Sequence, residues 1–175
     1  MKRFIVLVCA LALVFVCKES VAQQKQKSKT ISYPYSASYS SDFEIGGADY
    51  AKKVLELWKD YDDNTFDKHD YFADTAIMFF PDGMMVRGKD SILAGASRMR
   101  SSFQNVSTNV DAWVPLKSRD KDQNWVAIWG TDNSTGPDGK VVMTDIHEIW
   151  GFNKDGKIVY MQQYASKHPE MQGQQ

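Results

Sequence analysis

Only two cysteines, Cys9 and Cys17, occur in 175 residues, and both fall in an N-terminal apolar stretch. The rest of the chain therefore has no thiol for a disulfide or a thiolate metal site. Histidine is nearly as scarce: His69, His147 and His168 are scattered without ligand spacing, so no metal is expected. Neither charge dominates, with 21 basic and 22 acidic residues, and nucleic-acid binding is not expected. The one basic cluster, Lys25, Lys27 and Lys29, stands in a polar stretch that reads as a flexible tether. Glycine-rich phosphate loops, Ser-His-Asp nucleophile patterns and internal repeats are also missing. No cofactor is expected, and stability must come from an ordinary apolar core.

Long hydrophobic runs are confined to one place. Met1, Lys2 and Arg3 give a basic start, residues 4–16 are almost unbroken apolar chain, and Ser20-Val21-Ala22 ends in small residues, the pattern of a signal peptide. The run is shorter than the roughly 20 residues of a membrane-spanning helix, so cleavage is expected after Ala22, giving a secreted or periplasmic product without a membrane span. A lipoprotein would need small residues before Cys17, where Val14-Phe15-Val16 stand instead. Beyond Ala22 lie 153 residues carrying 18 basic and 21 acidic groups, enough chain for one domain with a substantial core.

What the chain does have is periodicity. Residues 23–47 read as a polar, Tyr- and Ser-rich arm or linker, with Tyr33, Tyr35 and Tyr39 spaced mainly by twos. After Gly46-Gly47, the residues Tyr50, Ala51, Val54, Leu55, Trp58 and Tyr61 fall at helical spacing, while Lys52, Lys53, Glu56, Lys59 and Asp60 occupy most of the other side. Asn64 or Thr65 is expected to cap a short second helix carrying Phe66, His69 and Phe72, and Asp90 a third carrying Ile92, Ala96, Met99 and Phe103. Strands are expected at 76–80, 84–86, 108–116, 125–131, 141–152 and 158–165, with Asp138-Gly139 and Asp155-Gly156 as hairpin turns. Helices grouped first and long strands last predict an α+β domain over 48–168, a curved antiparallel sheet wrapped around three helices, followed by a flexible tail at 169–175.

Phe72-Ala73-Asp74-Thr75-Ala76, Phe80-Pro81-Asp82-Gly83 and Val86-Arg87-Gly88-Lys89-Asp90-Ser91-Ile92 resemble, in order and spacing, the front half of the NTF2-like superfamily. The run from Glu148 through Asp155-Gly156 to Tyr164 is similar to the last hairpin of SnoaL-like proteins and ketosteroid isomerases. The resemblance spans about residues 48–166 and implies a cone-shaped α+β barrel with an apolar pocket, frequently dimeric through the outer sheet face. It implies no single function, because the fold serves isomerases, cyclases, dehydratases and proteins without known activity.

A ketosteroid isomerase needs an Asp base and a Tyr with a neutral Asp to hold the oxyanion. Carried over by the resemblance, the base position before Pro81 is Phe80, which accepts no proton, and the Tyr position is Leu57 or Trp58. Glu148 alone keeps acid chemistry, at the oxyanion Asp position. Steroid isomerisation by that route is not expected. Asp82, between Pro81 and Gly83, reads as a solvated turn residue.

Glu148 shares a strand face with Ile146, Trp150 and Phe152. A carboxyl among apolar groups is desolvated and tends toward a neutral hydrogen-bond donor. The competing readings are a Glu neutralised by Arg98 or Arg100, or one in water near a sheet edge. Asp145 and His147 belong to the opposite face. Following the resemblance, Phe80, Glu148, Met161, Gln163 and Ala165 face the pocket, and Trp129, whose parity the sequence leaves open, is placed with them. The sequons at Asn105 and Asn133 are read as chance matches, because the leader style looks bacterial.

Three functions fit. The first is exported binding of an apolar or amphipathic small molecule without turnover. The second is a lyase, isomerase or cyclase in which Glu148 acts with another group such as His69 or Gln163. The third is a dimeric interaction module using the outer sheet face or the Tyr-rich arm.

Overall fold

The computed structural model describes residues 32–66 and 68–169. The expected leader, its cleavage point and most of the tail lie outside the described residues. The chain falls into two units, Met1–Ser36 and Ala37–Gln175. Of the first, residues 32–36 are described, with Tyr33 and Tyr35 exposed. The helices and strands among the described residues all belong to the second.

Helix α1 (Ala48–Asp63) forms where the 3.6-residue stripe predicts it, and Ala51, Val54, Leu57 and Trp58 are its buried face. Its end is fixed twice over. Asn64 turns left-handed at φ 57°, its N–H returning to the Asp60 and Tyr61 carbonyls. Arg100 then donates from Nε to the Tyr61 carbonyl and from Nη2 to that of Asp62, covering acceptors the helix leaves open.

The short second helix is not formed, because Asn64 closes α1 instead of opening another helix. Thr65 sends its N–H back to the Asp60 carbonyl, and the buried Asp60 carboxylate meets His69 Nδ1 at 2.6 Å. Phe72 begins a strand. Two helices rather than three are therefore found among the described residues: α1 and α2 (Lys89–Ser101). The N-cap of α2 is Gly88 at φ 88°, a conformation that favours glycine, and Asp90 sits in the first turn, where its charge suits the helix dipole.

Seven strands, β1 (Phe43–Ile45), β2 (Phe72–Phe79), β3 (Met85–Arg87), β4 (Asn105–Ser118), β5 (Gln123–Thr135), β6 (Val141–Phe152) and β7 (Ile158–Lys167), make one unclosed sheet. Their order is β1-β4-β5-β6-β7-β2-β3. Neighbours are antiparallel except β2 and β7, which run parallel. Breaks in register at Val110/Ala112 and Gly151/Phe152 curve the sheet as bulges do. Gly139 and Gly156 hold positive φ in the two Asp-Gly turns. Strands β4 and β5 outrun their expected ends because polar residues such as Ser107, Asn133 and Ser134, which break the apolar alternation, stay in register.

This is the expected α+β fold, a curved, mainly antiparallel sheet with helices in its hollow. The core lies between α1 and the concave face, where Val54, Val126, Ile128, Phe152, Ile158 and Met161 are buried. The C-terminal end of the expected arm, within the second unit, joins the sheet as β1, paired with β4, and Tyr39 packs edge-on against Trp125 at 5.4 Å. Among the described residues no helix is long and apolar enough to cross a membrane.

Candidate functional site

Sheet register dictates what faces the hollow. Across the concave side run the rows Val126, Trp150, Met161; then Ile128, Glu148, Gln163; then Ile146 beside Ala165; then Thr108, Asp132, Thr144. Between these rows and the helices lies a cavity of about 510 Å³, within the size range of small-molecule sites. Its wall is largely aliphatic and aromatic. At one end Leu57, Phe72, Met78 and Trp150 are buried, whereas Met84, Met99, Val142 and Ala165 line the cavity and are exposed, marking its mouth.

Glu148 sits at the buried end, 5 % exposed. Two indoles converge on one of its oxygens: Trp58 Nε1 donates to Oε2 at 2.6 Å and Trp150 Nε1 at 3.0 Å. Gln163 Nε2 donates to Oε1 at 2.8 Å. Burial pushes the carboxyl above its ordinary range, and the three donors oppose that without cancelling it. An indole N–H can only donate. A proton on Glu148 therefore belongs on Oε1, and it must go either to Gln163 with its amide turned or to a molecule in the cavity. Neither competing reading of Glu148 holds. Arg98 is exposed, Arg100 is committed to the end of α1, and β6 is an interior strand.

Phe80, Met161, Gln163 and Ala165 line the same cavity as Glu148. Trp129 does not join them. It is paired in register with His147 on the convex face, where the two rings stack at 4.8 Å and Trp129 is 37 % exposed. His69, offered as a second acid or base, is bound to Asp60. Asp82 is a turn residue whose Oδ1 receives the Met84 N–H. On the convex face Asp145 meets His168 Nδ1 at 2.6 Å. Among the described residues no three His, Cys, Asp or Glu side chains gather as metal ligands would.

The sequence reading missed two features. One is Trp58, which with Leu57 was a candidate for the position where the resemblance calls for a phenol, and whose indole N–H donates to Glu148, a signal that side-chain chemistry offered. The other is Asp132, which also lines the cavity and lies on β5 one residue past the strand end that the apolar alternation predicts. Burial raises the Asp132 carboxyl, as does Asp62, against the Ser134 hydroxyl and Arg100. Tyr61, another lining residue, is pushed up to about 12 by burial and by Asp132, so its hydroxyl keeps its proton.

Gly130 decides where Trp58 can lie. A Cβ there would stand 2.8 Å from Trp58 Cζ3 and 2.5 Å from the Asn109 carbonyl oxygen, so the indole lies against bare backbone.

The SnoaL-like domain family model matches residues 51–161. No curated protein matches the chain. Solved structures do. The epoxide hydrolase/cyclase-like enzyme SalBIII, of pyran ring formation in the polyether salinomycin, superposes with a TM-score of 0.57 at 13 % identity, over 68 % of this chain and 92 % of that one. An NTF2-like protein of unknown function from Exiguobacterium sp. 255-15 gives 0.51 at 19 %, over 66 % and 98 %. A SnoaL-like protein of unknown function from Burkholderia thailandensis E264 gives 0.53 at 17 %, over 70 % and 98 %. At these identities the likeness is one of fold.

Proposed function

The chain belongs to the SnoaL-like domain family, and from that premise we propose that it is an exported protein whose cavity binds an apolar or amphipathic small molecule, with Glu148 holding the ligand's polar group. The observation that carries this reading is a desolvated carboxyl with three donors, set at the buried end of a largely apolar cavity. Ionised, Oε1 accepts from a ligand hydroxyl; protonated, it donates to a carbonyl. The wall supplies affinity through apolar burial, at about 25 cal/mol per Å². Export rests on the basic, apolar and small-residue order of the first 22 residues.

The test uses a ketone, which can only accept. Titration calorimetry with decan-2-one should show binding that weakens as pH rises through the Glu148 titration, whereas Glu148→Gln, which keeps an N–H donor at every pH, should bind with little pH dependence. Equal pH profiles for the two proteins, or no binding by either, would overturn the assignment.

A second reading is acid-base catalysis of the lyase, isomerase or cyclase kind. It is favoured by the presence of two carboxyls, Glu148 and Asp132, both raised by burial and both lining one cavity. SalBIII, an epoxide hydrolase/cyclase-like enzyme, shares the fold. The outer face supports a homodimer as a further proposal, because Trp129 and Tyr164 are part-exposed there beside His147, whose buried Nε2 lacks a hydrogen-bond partner.

A further inference from the structure

Asp132 has no part in the Glu148 assignment, yet it faces the same cavity. Ser134 Oγ donates to its Oδ2 at 2.8 Å, while Oδ1 is buried and receives no hydrogen bond from the protein. An unpaired buried carboxylate oxygen is costly, and native proteins rarely leave one unless something else serves it. The nearby charges are already engaged. Arg100 is spent on backbone carbonyls, and Asp62 accepts from the Thr108 N–H and hydroxyl.

Position gives this atom a meaning. Asp132 stands four residues along β5 from Ile128, the cross-strand partner of Glu148, which at roughly 3.3 Å per residue is about 13 Å. Its row lies on the mouth side of the Glu148 row, next to the row that pairs Ser134 with exposed Val142. Between the two carboxyls the concave face offers Gly130, Ile146 and Ala165, with no polar side chain.

We propose that Asp132 Oδ1 is a second polar station of the cavity, so that the ligand is an elongated, mainly apolar molecule carrying two separated polar groups, one held by Glu148 and the other a hydroxyl donating to Asp132. The inference rests on the Glu148 reading and adds a length and a second functional group to it. A one-headed ligand leaves Oδ1 unpaired, and a hydroxyl at the correct distance satisfies it. The distance between the stations thus selects ligand length.

Matched pairs of α,ω-alkanediols and 1-alkanols, from eight to twelve carbons, measure this with the whole protein by calorimetry at pH 7. Without a second station each diol binds more weakly than its alkanol, because burying the extra hydroxyl costs affinity. The proposal expects one diol length to bind about tenfold more tightly than its alkanol. It also expects that ratio to fall to one or below in Asp132→Leu, and in Asp132→Ala should the leucine variant fail to fold. Alkanols that bind while every diol binds more weakly would overturn the Asp132 station and leave the Glu148 reading standing. A diol preference unchanged in the variants would overturn Asp132 as its source. Absence of binding by both series would overturn the reading and the inference together.

Discussion

Replacing Gly130 by alanine tests whether the position of Trp58, and through it the hold on Glu148, depends on bare backbone. The added methyl would meet Asn109 O at 2.5 Å and Trp58 Cζ3 at 2.8 Å, both closer than carbon atoms tolerate. The carbonyl belongs to β4 beside the Val110–Gly130 pairing and has little room to retreat. The indole must therefore move, but its Nε1 is held 2.6 Å from Glu148 Oε2. Overpacking of this kind costs about 1–3 kcal/mol, and weakening a buried bond to a charged acceptor adds about 1–3 kcal/mol. The expected total is about 2–6 kcal/mol, or a fall in melting temperature on the order of 10 °C for a domain of this size. Thermal unfolding followed by circular dichroism reads it directly. A phenyl ring at position 58 lacks the atoms that clash, so the Gly130→Ala penalty should shrink in a Trp58→Phe background. A melting temperature within about 2 °C of wild type, or a penalty unchanged in that background, would mean that Trp58 is not held in place by the bare backbone at Gly130.

Glu148→Gln should become relatively more stable as pH rises. Burial raises the folded carboxyl above its ordinary 4.5, so wild type loses stability as pH climbs from there through the folded value, and glutamine removes that loss; a Tm difference that is flat with pH would contradict this. Arg100→Met should cost about 2–3 kcal/mol in urea unfolding by uncovering the Tyr61 and Asp62 carbonyls at the end of α1, and a change below about 0.5 kcal/mol would remove that cap from the account. If the convex face pairs two copies, Trp129→Glu should give a monomer in sedimentation where wild type is a dimer; identical sedimentation of the two would remove Trp129 from that interface.

How far the sequence carried depends on the range of the interaction. Helix α1 was legible because Ala51, Val54, Leu57 and Trp58 repeat along a single stripe, and the Asp-Gly turns were legible because positive φ leaves few residues to choose from. Glu148 was placed inward by alternation with Ile146 and Trp150, all within a few residues. Trp129 defeated the same logic. Trp125, Trp129, Val126 and Ile128 put apolar groups on both faces of β5, because the convex side has its own aromatic row and Trp125 is covered by Tyr39. The helix after Asn64 failed for another reason. Asn64 suits either end of a helix, and what decided its role was the return of its N–H to the last turn of α1. The Trp58–Glu148 bond joins residues 90 apart, and only the folded sheet brings them together.

Native mass spectrometry of the protein purified from its own host, wild type beside Glu148→Ala, tests the central claim most directly. A small molecule of defined mass should be retained by wild type and missing from the variant, and that mass would give the ligand class. A clean apo mass for wild type, or an adduct kept equally by the variant, would contradict a binding cavity centred on Glu148.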